Sequence, residues 1–257
     1  MVRKAFKGTY LGLMLTFLYM PIVVMIVLSF NASKSRAKWG GFTLDWYIKL
    51  FQRSEIMKAL WVTISVAVIA TLVATLLGTL GAIGIHAMKG GMANTLINVS
   101  YLPMTTPDIV TGVSLMLMFV FANIPLGYAT MLMAHIAFDT PYVLFSVMPR
   151  LKRMNRHSYE AALDLGCTPG KAILKVILPE IMPGVVTGAL LAFTLSLDDF
   201  VISYFTSYKD KNLSMIIYSA ARKGIEPTIY ALSTLMFLAV LVLLLIINKR
   251  SALEDVS

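Results

Sequence analysis

The sequence predicts an all-α membrane protein with six transmembrane helices, on three observations. Of its 257 residues, 58% are hydrophobic and only 14% charged, too few polar side chains to cover a soluble domain. Apolar runs near 9–30, 59–86, 92–122, 126–148, 181–206 and 229–247 each match or exceed the roughly 20 residues that a helix needs to cross a bilayer. Small residues recur at helical spacing, with Ala70, Ala74, Gly78 and Ala82 forming one smooth ridge and Gly184 with Gly188 another, so neighbouring helices can approach closely. Six spans put both termini on one side, and residues 1–257 read as a single transmembrane domain.

The first run follows Arg3, Lys4 and Lys7, as a secretion signal would, but a signal's apolar core is about 7–15 residues and this run continues through Pro21 to Phe30. It is therefore expected to be a first span. The third run contains Pro103 and Pro107, so its helix should start late or kink. Between the fourth and fifth runs lies a polar loop, 149–180. Ser158 is expected to cap a short helix that Gly166 ends, because glycine adopts the left-handed conformation found just past helix ends. Thr168 should cap a second helix with Pro169 at its first position and Pro179 closing it. That second helix carries Ile173, Leu174, Val176 and Ile177, either a docking face for a partner or two linker helices packed on their own bundle. Cys167 stands alone, so no internal disulfide is possible, and it reads as a small packing residue.

Within that loop, Glu160-Ala161-Ala162 is followed after three residues by Gly166 and after nine more by Val176, one residue, and Leu178-Pro179. This spacing resembles the EAA loop of ABC importer permeases, with Val176 in place of isoleucine. The likeness extends along nearly the whole chain. Ser29-Phe30-Asn31, Trp39-Gly40-Gly41-Phe42-Thr43, Trp46-Tyr47, Thr106-Pro107-Asp108-Ile109-Val110, Phe193 to Phe200 and Ile217-Tyr218-Ser219 together resemble the permease subunits of spermidine/putrescine importers. The resemblance implies a type I importer core in which spans two to six surround the pathway. It also implies cytosolic coupling helices that meet an ATPase through Glu160, Ala161, Ala162, Gly166 and Pro179. The implied partners are a sister permease, a homodimeric ATP-binding subunit, an extracytoplasmic solute-binding protein and a polyamine. ATP and Mg would sit on the ATPase, with no cofactor on this chain, in a bacterial inner membrane with both termini cytoplasmic. Related permeases for other small solutes share several of these motifs.

Charge adds little to orientation. With the termini inside, Arg3, Lys4, Lys7, Lys89, Arg150, Lys152, Arg153, Arg156, Lys171, Lys175, Lys249 and Arg250 are cytosolic. The other basic residues, many between Lys34 and Lys58, fall outside, so the positive-inside rule favours this topology only slightly and the resemblance decides it. The net charge of +9 comes without any nucleic-acid-binding module, and anionic lipid headgroups are the simpler partner.

Four aspartates fall within or beside the spans. An aspartate facing lipid at mid-bilayer costs about 2.5–3.5 kcal/mol, so these should face the interior, water or a boundary. Asp108, after Thr106-Pro107, either complements a helix dipole or lines a pathway. Asp139 lies four residues after His135, where the two can share a structural hydrogen bond. Counting by three and four from Asp199 gives Ala192, Ser196, Ser203 and Thr206, a small and polar stripe along an otherwise apolar helix, whereas Asp198 shares its face with Leu191, Leu195, Val201, Ile202 and Phe205. Asp199, Ser196 and Ser203 are therefore expected on the pathway, with Asp198 and Asp108 as further pathway candidates, although the face of Asp198 turns it against a neighbour or toward a water pocket. An acid on such a stripe suits a cationic or hydrogen-bonding cargo.

Enzymatic classes are poorly supported. Gly166 to Lys171 is one residue short of a phosphate-binding loop and no Ser or Thr follows the lysine, while His86, His135 and His157 lack ligand spacing. No nucleophile and base converge in an intramembrane enzyme's manner. A secondary transporter or channel needs no ATPase, but no inverted repeat is visible.

Overall fold

The computed structural model describes residues 2–88 and 90–254, with side chains described for 8–88, 90–155 and 157–242. Lys89 and the side chains of Arg3, Lys4, Lys7, Arg156, Lys249 and Arg250, all assigned to the cytosolic face above, lie outside those residues. Among the described residues the regular structure is helical, with one isolated bridge between Asn31 and Phe42. The chain divides into two compact units, Met1–Met57 with Ile217–Ser257, and Lys58–Ile216.

In the first unit α1 (Val2–Ser29) and α2 (Asp45–Gln52) both pack on α12 (Pro227–Glu254). The loop between α1 and α2 is tied by Asn31, whose Oδ1 accepts from the Ser33 and Gly40 amides at 3.1 and 2.8 Å while its Nδ2 donates to the Lys38 carbonyl at 2.9 Å. Trp46 Nε1 donates to the Asn31 carbonyl at 2.7 Å. Satisfying these groups is what lets the buried Asn31 stay buried.

The second unit holds most of α3 (Ser54–Ala87), then α4 (Gly91–Thr105), α5 (Asp108–Phe121), α6 (Tyr128–Arg153), α7 (Arg156–Asp164), α8 (Pro169–Ala172), α9 (Leu178–Asp198), α10 (Val201–Thr206) and the start of α11 (Leu213–Lys223). Its core lies along α6. The ridge of Ala70, Ala74, Gly78 and Ala82 is buried, and a Cβ on Gly78 would meet Val143 Cβ at 2.7 Å and the Thr140 carbonyl at 2.8 Å. The second ridge packs on the same helix and shares Val143 with the first: a Cβ on Gly184 would lie 2.9 Å from the Ser146 carbonyl, and one on Gly188 3.0 Å from Val143 Cα. Close backbone approach of this kind is what small residues permit in a bilayer.

Among the described residues, four helices are long and apolar enough to cross a membrane: Gly8–Ser29, Ser54–Ala87, Tyr128–Arg153 and Pro169–Asp198. A fifth span arises if α4 and α5 are taken together. The sixth expected segment falls on α12, whose described apolar part is Pro227–Val242.

Three expectations change. The third run does more than start late or kink, because α4 and α5 meet at a 109° bend. Thr106 is extended there (φ −81°, ψ 137°), as the residue before Pro107 should be, and the proline supplies no N–H to carry the helix across. The fifth run is not one helix to 206; it stops at Asp198, Asp199 is extended (φ −60°, ψ 128°), and α10 begins afresh. Pro179 does not close the second loop helix. A π-turn, Ile173–Ile177, joins α8 to α9 so that Pro169–Asp198 runs as one 30-residue helix. The Leu178 amide donates to the Ile173 carbonyl, five residues back, so the bonding register is already shifted where Pro179 lacks a donor.

Candidate functional site

Two regions concentrate the candidate residues. The first is the loop between α6 and α9. Its opening helix is capped by Asn155 instead of the expected Ser158: Asn155 Oδ1 accepts from the His157 amide at 3.1 Å, which satisfies one of the amides a helix start leaves unpaired. Gly166 ends the helix with a φ of +84°, and its amide donates to the Leu163 carbonyl at 2.9 Å while the Cys167 amide donates to Ala162 at 3.0 Å. These paired bonds form a Schellman turn. Thr168 and Pro169 then take the N-cap and first positions of α8, as the spacing predicts, but the Thr168 side chain makes no capping hydrogen bond.

Burial sorts the motif residues. Ala162 is buried, and Ile173 and Ile177 join the core along α6, so that half of the expected docking face packs on its own bundle. Ala161, Gly166 and Pro179 are exposed, as is Glu160, which pairs with His157 at 3.3 Å. Leu165 and Leu174 are 86% and 64% exposed. Two such leucines on a polar loop leave an apolar surface with no partner inside this chain. Asn155→Ala should cost α7 about 1 kcal/mol of stability. Faster hydrogen exchange at the His157 amide would register that loss.

The second region lies where the fifth span breaks. Here α10 packs on α5, so closely that a Cβ on Gly112 would meet the Phe205 ring at 3.1 Å, and the two helix breaks become neighbours. Asp108 is the first residue of α5 and Asp198 the last of α9, and both are exposed. Asp199 is turned inward, its side chain 10% exposed. Its carboxylate accepts from the Ile202 amide at 3.1 Å and the Ser203 amide at 2.8 Å, capping α10. The exposure of the pair thus reverses the helical-face expectation, because counting by three and four presumes a helix that continues through 199.

Ser196, Ser203, Ala192 and Thr206 do come together, as a buried set. They face α6, where His135 Nδ1 pairs with Ser196 Oγ at 2.6 Å and Nε2 with Ser203 Oγ at 2.9 Å. The expected His135–Asp139 bond is not formed, since both ring nitrogens are engaged by these hydroxyls. Asp139 is fully buried, and neither of its oxygens has a hydrogen-bond partner among the described residues. Asn212, absent from the candidates read in the sequence, donates from Nδ2 to the Asp199 carbonyl and to Ser203 Oγ, both at 2.8 Å. Its one signal was position, a lone asparagine just ahead of a short helix.

Among the described residues no group of three or more His, Cys, Asp or Glu is placed to hold a metal. The site offers carboxylates, hydroxyls and aromatic rings, which suit binding better than bond making.

Comparison with known proteins gives a consistent result. Residues 74–249 match the family model for the binding-protein-dependent transport system inner membrane component. The chain is 38% identical over 251 residues to the putrescine transport system permease protein PotI of Escherichia coli (strain K12), covering 93% of this chain and 88% of that one. It is 35% identical over 246 residues to the spermidine/putrescine transport system permease protein PotC of the same strain, covering 95% and 93%. Its fold is similar to that of a chain in the crystal structure of a bacterial ABC transporter involved in the import of the acidic polysaccharide alginate, with a TM-score of 0.71, 17% identity, and coverage of 96% and 93%.

Proposed function

Because the chain belongs to the family of binding-protein-dependent transport system inner membrane components, we propose that it is one of two permease subunits of an ATP-driven polyamine importer in a bacterial inner membrane. It is a multi-pass membrane protein and not itself an enzyme. The observation that supports a cationic cargo is the pair of exposed carboxylates, Asp108 and Asp198, at neighbouring breaks in membrane helices. A carboxylate at a break within a membrane span must meet water, a partner or a cation. Asp198 also sits at the C-terminal end of α9, where the helix carbonyls add negative potential. Asp199, Ser196 and Ser203 form the layer behind it.

In this reading a sister permease supplies the other half of the pathway and an extracytoplasmic solute-binding protein delivers spermidine or putrescine. A homodimeric ATPase holds ATP and Mg and grips the loop around Glu160, Ala161, Ala162 and Gly166, with Pro179 at the root of the lever it moves. Both termini and residues 149–180 are cytoplasmic. Closure of the ATPase dimer shifts α7, the shift passes into the Pro169–Asp198 helix, and the pathway changes from inside-open to outside-open. No bond in the cargo changes.

The test is uptake of labelled spermidine and putrescine into vesicles carrying the assembled complex, with and without ATP. Asp198→Asn should lower uptake about tenfold, the loss of one charge-assisted contact, while assembly is retained. Asp108→Asn should act in the same direction, and Asp139→Asn less. ATP-independent uptake, or full uptake by both Asp198→Asn and Asp108→Asn, would overturn the assignment.

A further inference from the structure

The break between α9 and α10 contains neither proline nor glycine, so something outside the local sequence must hold it open. His135 is in position to do so. Its imidazole is 2% exposed and stands between the two sides of the break, with Ser196 three residues before Asp199 on Nδ1 and Ser203 four residues after it on Nε2. The same Nε2 lies 3.4 Å from Asp199 Oδ2. Asn212 completes the arrangement by taking the Asp199 carbonyl out of the helical ladder. Every polar atom named here is buried or nearly so, where an unmade hydrogen bond is costly and a satisfied network fixes one geometry.

We propose that His135 is the positioning residue of the paired aspartates. By bridging Ser196 and Ser203 it keeps the backbone extended at Asp199, turns that carboxylate inward as the cap of α10, and so presents Asp198 outward as the carboxylate that cargo meets. The inference rests on the cation-pathway reading above for its last step only; the geometry of the break is independent of it. It makes His135 a determinant of cargo attraction although its ring touches no cargo. It also explains why adjacent aspartates in one span can differ in role: a continuous helix would separate their side chains by about 100°, whereas the extended residue sends one inward and one outward.

The experiment uses the intact complex in vesicles. In one series the chain carries Cys167→Ser and Asp198→Cys, and the rate of modification by a cationic thiol reagent is measured with His135 intact and with His135→Leu, His135→Gln and Ser203→Ala. In a second series the native Asp198 is kept and polyamine uptake is measured for the same substitutions. Loss of the bridge should slow modification at 198 and lower uptake, each about tenfold. His135→Gln, which keeps a polar group near the Nε2 position, should retain most of both.

Normal modification at 198 in an assembled His135→Leu subunit would overturn the proposal, and so would an uptake loss that leaves modification unchanged. If His135→Leu does not assemble, Ser203→Ala decides by the same two readouts. Full uptake by both Asp198→Asn and Asp108→Asn would instead overturn the cation-pathway reading, and full uptake by Asp198→Asn alone would overturn the cargo step of this proposal, while modification at 198 still tests the positioning role of His135.

Discussion

Gly78→Leu should leave almost no assembled subunit in the membrane. The new Cβ would lie 2.7 Å from Val143 Cβ and 2.8 Å from the Thr140 carbonyl, and the second contact is with α6 backbone that cannot rotate away. Overpacking a core costs roughly 1–3 kcal/mol and occasionally more. Here the cost belongs at the upper end, because α9 also closes on Val143, with a Cβ on Gly188 only 3.0 Å from its Cα, so that side chain has little room to yield. Gly84→Leu is the control on the same helix: nothing lies within 4 Å of its would-be Cβ, so the subunit should accumulate normally. Quantifying each variant in the membrane fraction and its monodispersity in mild detergent checks the expectation. Equal yields would mean that the α3–α6 contact is looser than described.

Gly166→Pro should abolish ATP-driven uptake without removing the protein from the membrane. A proline fixes φ near −65° where this residue has +84°, and it deletes the amide that donates to Leu163. The Schellman turn then cannot form, and the angle between α7 and α8 changes just where the loop presents Leu165 and Leu174. Gly166→Ala keeps the amide and should suffer only the left-handed penalty of about 1–2 kcal/mol. Gly170→Ala, with open space around it and no positive φ, should behave as the native chain does. Copurification of the ATPase and its stimulated hydrolysis are the measurements. A Gly166→Pro subunit with normal values of both would remove the coupling role from this loop.

The parts of this molecule visible in the sequence are those whose causes are local. The turn at Gly166 and the start at Thr168-Pro169 were legible because glycine and proline act within a few residues. Pro107 announced an interruption in the third run for the same reason, though not its size. The ridges on α3 and α9 were legible as ridges, and only the structure shows that both press on Val143. Pro179 misled, because a proline reads as a stop unless a π-turn has already moved the bonding register, and nothing local signals that turn.

The break at Asp199 was invisible for a different reason. Its cause is distributed over His135 and Asn212, 64 residues before it and 13 after it by their numbers. Locally, His135 had only Asp139 within reach, so the sequence suggested a bond that more distant hydroxyls displace. The same distance explains why Asp198 and Asp199 exchanged their expected exposures. The short α2 and α11 have no counterpart in the sequence reading because elements of this length give few turns from which to read periodicity, while α10 was merged into the fifth run.

The unbroken Pro169–Asp198 helix has a mechanical consequence. At about 1.5 Å per residue its 30 residues make a rod of roughly 45 Å, with the Gly166 turn at one tip and Asp198 at the other. A rigid rod pivoting where it crosses α6, near Gly184 and Gly188, swings its two tips in opposite directions. A tilt of about 5° on an arm of about 20 Å carries each tip by nearly 2 Å, by the same rise per residue. That is enough to make or break a contact between a carboxylate and an ammonium group, whose hydrogen bonds span about 2.7–2.9 Å. In the proposed reading, an event at the Gly166 turn and the fate of a charge at Asp198 are then a single motion, with no relay between them.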